Sequence, residues 1–396
     1  MRKKTVRDID VAGKRMLVRA DFNVPLDEEG RITDDNRIQA VLPTLKYLLE
    51  NGASLVVMSH LGRPKGKVVE SLRLTPVASS LQERLGVAVR KLNVVVGDEA
   101  EKACAELKPG EVVLLENLRF EPGEECNDPE FSQALARLGD IYVDDAFGAA
   151  HRAHASVVGV AELLPAVAGL LMEKDVRALK SLLHEPERPF VAVLGGSKIS
   201  DKLKVLGKFQ ELVDILLIGG GMCFTIFKSQ GMEIGRSLCE DELLDDVGKV
   251  LAVIGDKRAE LRLPVDLVVA SEFKADAESR VVEAHEIPPD WMGLDIGPHT
   301  IEEYVRSIGK AKTIFWNGPM GVFEWDRFGE GTRAVAEAIA GSTAVTMAGG
   351  GDTIAAIDKY GLKDEFTYIS TGGGASMKLL EGKTLPGLAI LQDADA

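Results

Sequence analysis

The 396-residue sequence has no run of 18 apolar residues, so nothing in it reads as a membrane-spanning helix. Its basic start, MRKKTVRDIDVAGKRM, is followed by no apolar stretch and does not read as a signal peptide. Cysteine is scarce. Cys104, Cys126, Cys223 and Cys239 lie far apart, with no CxxC pair. That spacing argues against a disulfide framework or a zinc site and for free thiols in a reducing compartment, so a cytoplasmic protein is expected. Positive charge is also short, with 47 Lys and Arg against 62 Asp and Glu and a net charge of −15. Such a chain suits neither nucleic acid nor an anionic membrane as a partner. Local cationic clusters can still hold an anion, because charges beyond about 8 Å are largely screened at physiological salt. Three signatures are absent: GxxxxGK[ST], the HRD and DFG pair, and a GxGxxG after a strand with an acidic residue about 20 positions on. P-loop enzymes, protein kinases and classical dinucleotide sites are thereby disfavoured. No tandem short repeat or low-complexity tract is evident.

What is present is a 45% apolar chain, enough for a large core and, at roughly 150 residues each, for two to three domains. Short β-rich runs recur at 16–21, 54–59, 112–116 and 141–145, then at 190–194, 214–218, 265–270, 312–316, 343–347 and 366–370. Stretches such as 37–51, 131–138 and 332–339 between them carry helical periodicity. Alternation of near-continuously apolar strands with helices predicts an α/β fold with parallel sheets covered on both faces. Ten strands are too many for one ordinary open sheet. Residues 165–184 (PAVAGLLMEKDVRALKSLLH) read as one long helix, stopped by EPERP, that bridges two domains, 1–170 and 171–384.

In open α/β sheets ligands bind beyond the carboxyl ends of the strands. The two halves differ there. The first half ends its strands in RADFNVP (Arg19, Asp21, Asn23 on one face), SHLGRP (His60, Arg63), ENLRF (Arg119) and DDAFGAAHRAHAS (His151, Arg152, His154), with Arg37 nearby. Convergent arginines suit a small, multiply charged anion, because guanidinium forks pair bidentately with carboxylate and phosphate. Asp144 and Asp145 read as loop-organising carboxylates. His184, His285 and His299 lack such company and receive no role.

The second half ends its strands in glycines: GGSK after Leu194, GGGM after Ile218, NGPMG after Trp316, AGGGDT after Met347 and TGGGAS after Ser370. Glycines at strand-to-helix junctions let backbone N–H groups approach a phosphate, and a helix start adds partial positive charge. Five such junctions predict a nucleotide site involving Gly196, Gly219, Gly220, Gly318, Gly350 and Gly351. With a helix starting just after GGS, Lys198 and Lys202 would share one face and reach a phosphate chain. Asp352 is either a magnesium carboxylate or a helix N-cap. Glu324 either accepts from ribose hydroxyls or is simply exposed, and Met222 and Cys223 read as packing.

Taken in order, RADFNVP (19–25), SHLGRP (59–64), ENLRF (116–120), DAFGAAHRAHAS (145–156), GGSKISDK (195–202), IGGGM (218–222), WNGPMGVFE (316–324), GGGDT (349–353) and STGGGAS (370–376) resemble the motifs of the phosphoglycerate kinases over nearly the whole chain. The resemblance implies two Rossmann-like domains facing across a cleft. It also implies reversible transfer of the acyl phosphate of 1,3-bisphosphoglycerate to ADP with Mg²⁺, giving 3-phosphoglycerate and ATP. Matched by position, Asp21, Asn23, Arg37, His60, Arg63, Arg119 and Arg152, with His151 beside them, would hold the phosphoglycerate. Lys198, Lys202, Gly318, Met320, Phe323, Glu324, Asp352 and Thr353 would hold the nucleotide and metal, with Asp352 as the metal carboxylate.

Gly372, Gly373 and Gly374 would face the phosphoryl group in transit, and Arg37, Lys198 and Lys202 would help neutralise it. The resemblance also implies a monomer and a tail, 385–396, that returns to the N-terminal domain. Neither direction of the reaction needs a general base, so catalysis would rest on positioning, charge stabilisation and domain closure that excludes water. A non-catalytic anion-binding protein and a dehydrogenase are the rival readings. Asp144, Cys223, Met377 and Lys378 depart from the usual family pattern, Lys378 as a cation expected early in a helix.

Overall fold

The computed structural model describes residues 2–254, 258–370 and 372–394. The chain forms two compact units, one of Met1–Arg177 with Lys383–Ala396, the other of Ala178–Gly382. The division falls inside the helix Leu170–Leu183.

The first unit holds β1 (Arg15–Arg19), β2 (Ser54–Met58), β3 (Val89–Lys91), β4 (Val112–Leu114), β5 (Ile141–Asp144) and β6 (Ala166–Ala168). They form one parallel sheet in the order β3-β4-β2-β1-β5-β6. The central strands are buried along most of their length, as a sheet covered on both faces requires. The chain end belongs to this unit. Gln392 N–H donates to Ala166 O (3.0 Å), Lys4 N–H to Gln392 O (2.8 Å) and Gly387 N–H to Ala150 O (2.9 Å). Of the expected tail, Asp395 and Ala396 lie outside the described residues.

The second unit holds β7 (Phe190–Leu194), β8 (Ile215–Ile218), β9 (Glu260–Arg262), β10 (Asp266–Ala270), β11 (Ser279–Glu283), β12 (Met292–Ile296), β13 (Thr313–Asn317), β14 (Val345–Gly349) and β15 (Tyr368–Ser370). Six of them form a parallel sheet, β15-β14-β13-β7-β8-β9; the other three form an antiparallel sheet, β11-β10-β12. Every parallel strand points its carboxyl end to the same edge, so the loops that follow β7, β8, β13, β14 and β15 emerge together. Among the described residues no helix is long and apolar enough to cross a membrane.

Each of the ten expected strands exists, with ends shifted by a few residues. The run at 265–270 was expected in a parallel sheet and lies instead in the antiparallel one. Its partner β11 is largely exposed (SRVVE) and carries the mixed polarity of a one-sided strand. The helix expected over 165–184 begins only at Leu170. Ala166, Val167 and Ala168 are fully covered and pair with Tyr142–Asp144, since a short apolar run does not reveal its own period. β3 and β9 were not foreseen either. Both are three-residue edge strands rich in charge (VRK, ELR), which is how exposed edges are kept from pairing further.

Candidate functional site

In the first unit, β1 pairs with β2 and β5 so that Arg19 lies opposite Met58 and Asp144. The loops after these strands therefore leave from one level. Asp21 sits just past β1 and accepts a 2.7 Å hydrogen bond from Arg37 Nη1. Burial alone would raise the Asp21 carboxyl, but the Arg37 charge, then His60 and Arg19, outweigh it and hold the group at about 2. Asp21 is thus an ionised, acceptor-only group at neutral pH. Asn23 accepts from Gly62 N–H through Oδ1 (2.8 Å), which ties the β1 loop to the β2 loop. Arg119 donates from Nη1 to Gly62 O (2.7 Å), with Glu125 at 3.2 Å from its Nε.

Arg152 donates from Nε to His151 Nε2 (3.2 Å), while Arg63 is exposed. Burial, reinforced by the charges of Arg19, Arg119 and Arg152 and opposed by Asp21, holds His60 well below its usual range, so its ring is neutral. The structure therefore pairs Asp21 with Arg37, sets the neutral His60 ring 4.0 Å from Asp21, and links Asn23 and Arg119 through the Gly62 backbone. His154 lies 3.5 Å from the buried Glu124 and is occupied by that carboxylate. Asp144 and Asp145 are fully buried and pushed up by that burial to about 7. They organise backbone: Asp145 accepts from Leu171 and Met172 N–H (2.9 and 3.0 Å), Asp144 from Ala146 N–H (3.0 Å).

Arg19, placed by the sequence on one face with Asp21 and Asn23 but given no role, is buried behind these groups with Ser156, the last residue of DAFGAAHRAHAS, and with Glu124, which sequence reasoning passed over. Arg19 had a usable signal, since it precedes Asp21 and Asn23 on one strand face. Ser156 stood in a quoted motif with no chemical role attached and Glu124 had no signal; the loop at Glu124 and the turn at Ala155–Gly159 bring the two together.

In the second unit each of five junctions contains a glycine with positive φ: Gly196, Gly220, Gly318, Gly350 and Gly373. At Gly318 (φ +100°) the loops cross so closely that a Cβ would stand 2.2 Å from Gly195 O. Gly195 N–H donates to Asn317 O (3.0 Å) and Gly196 N–H to Pro319 O (2.8 Å), closing that crossing. The Thr353 hydroxyl accepts from Gly318 N–H (2.7 Å) and Asn317 Nδ2 donates to Gly349 O (2.6 Å). Thr353 is thus part of the loop frame, and Asn317 is a frame residue the sequence did not single out.

These junctions line two cavities that share Gly196, Ser197 and Asp352. One, about 400 Å³, is walled by Lys198, Lys202, Gly318, Gly350, Asp352 and Gly373. The other, about 490 Å³, is mostly apolar, with Phe224, Leu238, Leu294, Met320, Val322 and Phe323 among its walls and Gly220, Gly221 and Glu324 at the site as well. Gly219 packs under Met320, whose Sδ a Cβ there would meet at 2.5 Å.

Lys198 and Lys202 do not share a helix face as expected. The helix begins at Leu203; in the turn before it Ser200 is held by Glu240 (N–H to Oε2 3.0 Å, Oγ to Oε1 2.6 Å) and Ile199 is buried. Both lysines reach the same cavity from the turn instead. Burial lowers the Lys202 ammonium, opposed by Asp201 and Asp352. Asp352 is the second residue of the helix Gly351–Lys359, whose N-cap is Gly350 and which has no side-chain cap. The N-cap reading of Asp352 therefore fails, and its carboxylate belongs to the cavity wall. Glu324 is exposed at the rim of the apolar cavity. Lys378 lies in the last turn of Gly374–Leu380 rather than early in it, where the helix dipole favours a cation, and it lines the lysine cavity. Cys223 is buried against the apolar cavity and burial pushes its thiol far up, so it packs and does not react.

Comparison with known proteins agrees with this geometry. The family model described as phosphoglycerate kinase matches residues 6–383. Phosphoglycerate kinase from Roseiflexus castenholzii is 56% identical over 396 residues, all of both chains. That from Moorella thermoacetica is 54% identical over 393 residues, 99% of this chain and 100% of its own. Among solved structures, phosphoglycerate kinase from Coxiella burnetii superposes with a TM-score of 0.87 at 41% identity, covering 98% of each chain. The enzyme from Pyrococcus horikoshii gives 0.86 at 34%, covering 100% and 99%. The chain belongs to the phosphoglycerate kinase family, and is an ATP-binding transferase of glycolysis.

Proposed function

We propose that the chain transfers the acyl phosphate of 1,3-bisphosphoglycerate to ADP, reversibly, with the phosphoglycerate on the first unit and the magnesium nucleotide on the second. One observation carries the reading: Lys198, Lys202, Lys378 and Asp352 share a cavity with the glycine backbone at Gly196, Gly318, Gly350 and Gly373, beside an apolar cavity of a size suited to a purine. Lys198 and Lys202 would pair with the phosphates, Glu324 with the ribose, and Met320 and Phe323 would flank the base. Gly220 and Gly351 would keep the walls free of side chains, and Gly219 would leave room for Met320. In the first unit Asp21 would accept from the glycerate hydroxyl, while Arg37, Arg63, Arg119, His151 and Arg152 pair with its charged ends.

Among the described residues no cluster of three or more His, Cys, Asp or Glu forms a metal cage. That fits Mg²⁺, which takes one or two carboxylates beside phosphate oxygens. Asp352 would hold it, and the ion would neutralise phosphate charge.

The chemistry asks for little else. An ADP phosphate oxygen forms a bond to the acyl phosphorus as the bond from phosphorus to the carboxyl oxygen breaks, and the carboxylate leaves ionised. No proton need move in either direction, so no general base is required. Arg37, Lys198, Lys202 and the backbone at Gly373 and Gly374 would stabilise the charge on the group in flight. With the substrates on separate units, transfer requires the units to close, which also keeps water from the acyl phosphate. We take the protein to act as a cytoplasmic monomer, which the resemblance implies and the four free cysteines suit. The test is ADP formation from 3-phosphoglycerate and MgATP, with NAD reduction as control. Absence of ADP would refute the kinase reading.

A further inference from the structure

We propose that Arg19 is a positioning residue that fixes His60 as the neutral Nε2–H tautomer, and that Glu124 fixes Arg19 through the hydroxyl of Ser156. Arg19 ends β1 with about 1% of its surface exposed. Its planar guanidinium is engaged in three directions. Nε donates to Ser156 Oγ (2.9 Å), Nη1 to Ala20 O, and Nη2 lies 3.1 Å from His60 Nδ1. Arginine has no acceptor, so His60 Nδ1 must supply the lone pair. A neutral ring then carries its single proton on Nε2. No protein group among the described residues bonds that nitrogen, and the ring keeps about 4% exposure.

Glu124 orients Arg19 through Ser156 in the same way. Ser156 Oγ accepts from Arg19, so its one hydrogen goes to Glu124 Oε1 at 2.7 Å. Glu124 Oε2 accepts the Ser156 N–H (3.0 Å), and Tyr142 donates to Ser156 O (2.9 Å). A buried anion, a hydroxyl, a buried cation and an imidazole thus form one directed chain, and each link leaves the next a single orientation. The consequence rests on the functional reading above. With Nε2–H, His60 offers a donor to an anionic substrate. With the proton on Nδ1 it would turn its donor toward Asp21, 4.0 Å away, and present a lone pair to the substrate.

The test is the ring ¹⁵N spectrum of histidine-labelled full-length protein at pH 7 without ligand. His60 among the six histidines is assigned by the resonance lost in His60→Gln. The wild type is expected to show a protonated Nε2 and an unprotonated Nδ1. Arg19→Lys keeps the charge but loses the fork. It should mix the tautomers and raise KM for 3-phosphoglycerate about tenfold, the value of one charge-assisted hydrogen bond, with KM for MgATP unchanged. Should that variant not fold, Ser156→Ala frees Arg19 Nε and is read the same way. An Nδ1–H or charged His60 in the wild type overturns the proposal, as does a variant with unaltered tautomer and KM. Failure of the wild type to make ADP would instead refute the functional reading, while the ring spectrum still decides the tautomer.

Discussion

Gly318 and Gly373 both have positive φ at strand-to-helix junctions, yet alanine should affect them in opposite ways. Gly318 (φ +100°) lies where two loops cross, and a new Cβ would meet Gly195 O at 2.2 Å and Gly195 C at 2.4 Å. Both are backbone atoms and cannot rotate away. Backbone strain of about 1–3 kcal/mol then adds to overpacking of about 1–3 kcal/mol. The total, about 2–6 kcal/mol, is a large part of a typical 5–15 kcal/mol stability. Gly373 (φ +44°) has nothing within 4 Å of its Cβ position, so Gly373→Ala carries only the strain. Its methyl group would enter the lysine cavity, where the phosphoryl group is proposed to pass.

Trp291, Trp316 and Trp325 all lie in Ala178–Gly382, so tryptophan fluorescence in urea reports that unit alone. Gly318→Ala should unfold at clearly lower urea. Gly373→Ala should stay nearer the wild type while kcat falls about a hundredfold, the usual effect of disturbing a charge-stabilising donor, with KM values little changed. A Gly318→Ala protein of wild-type stability, or a Gly373→Ala protein of wild-type kcat, refutes the assignment of frame and passage.

Lys202→Ala should lower kcat by about 10²–10³-fold without raising KM for 3-phosphoglycerate, as loss of a charge acting in the transition state does; steady-state kinetics decide, and a normal kcat contradicts the role. Asp21, usually near 3.8, stands at about 2 in the folded chain. Its folded value is depressed, so it contributes about 2 kcal/mol that is fully present above pH 3.8 and is lost as pH falls toward 2. Asp21→Asn should therefore be less stable by about that amount at pH 7 and match the wild type near pH 2, and equal urea midpoints at pH 7 would count against it. Cys126 is exposed, whereas Cys104 and Cys223 are buried with thiols pushed up by burial. A disulfide reagent should label Cys126 in the native protein and those two only after unfolding; rapid native labelling of Cys223 would show that its pocket opens.

Much of this was legible because the main strands are near-continuously apolar and end in short, chemically distinctive loops. RADFNVP and SHLGRP announce Asp21, Asn23, His60 and Arg63 in consecutive letters, and the glycine runs announce their own backbone. What stayed hidden depends on distance in the chain. Ala166–Ala168 becomes a strand because Tyr142–Asp144 lies beside it, not because of its composition. Lys198 and Lys202 reach one cavity from the turn before Leu203, a turn that Glu240, some 40 residues on, holds through Ser200. Thr353 joins the loop frame through Gly318 N–H. Arg19, His60 and Ser156 each stand in a distinctive stretch, but the chain Glu124–Ser156–Arg19–His60 joins four distant segments, and its links are not readable from any one of them.

On the proposed function the two units divide the substrates between them. Peptide-resolved hydrogen exchange with each ligand alone tests it most directly. MgADP should slow exchange at 195–202, 318–320, 350–353 and 372–374, and 3-phosphoglycerate at 21–23, 60–63, 119 and 151–152. Protection of the first unit's loops by MgADP alone, or of the glycine junctions by 3-phosphoglycerate alone, would overturn that division.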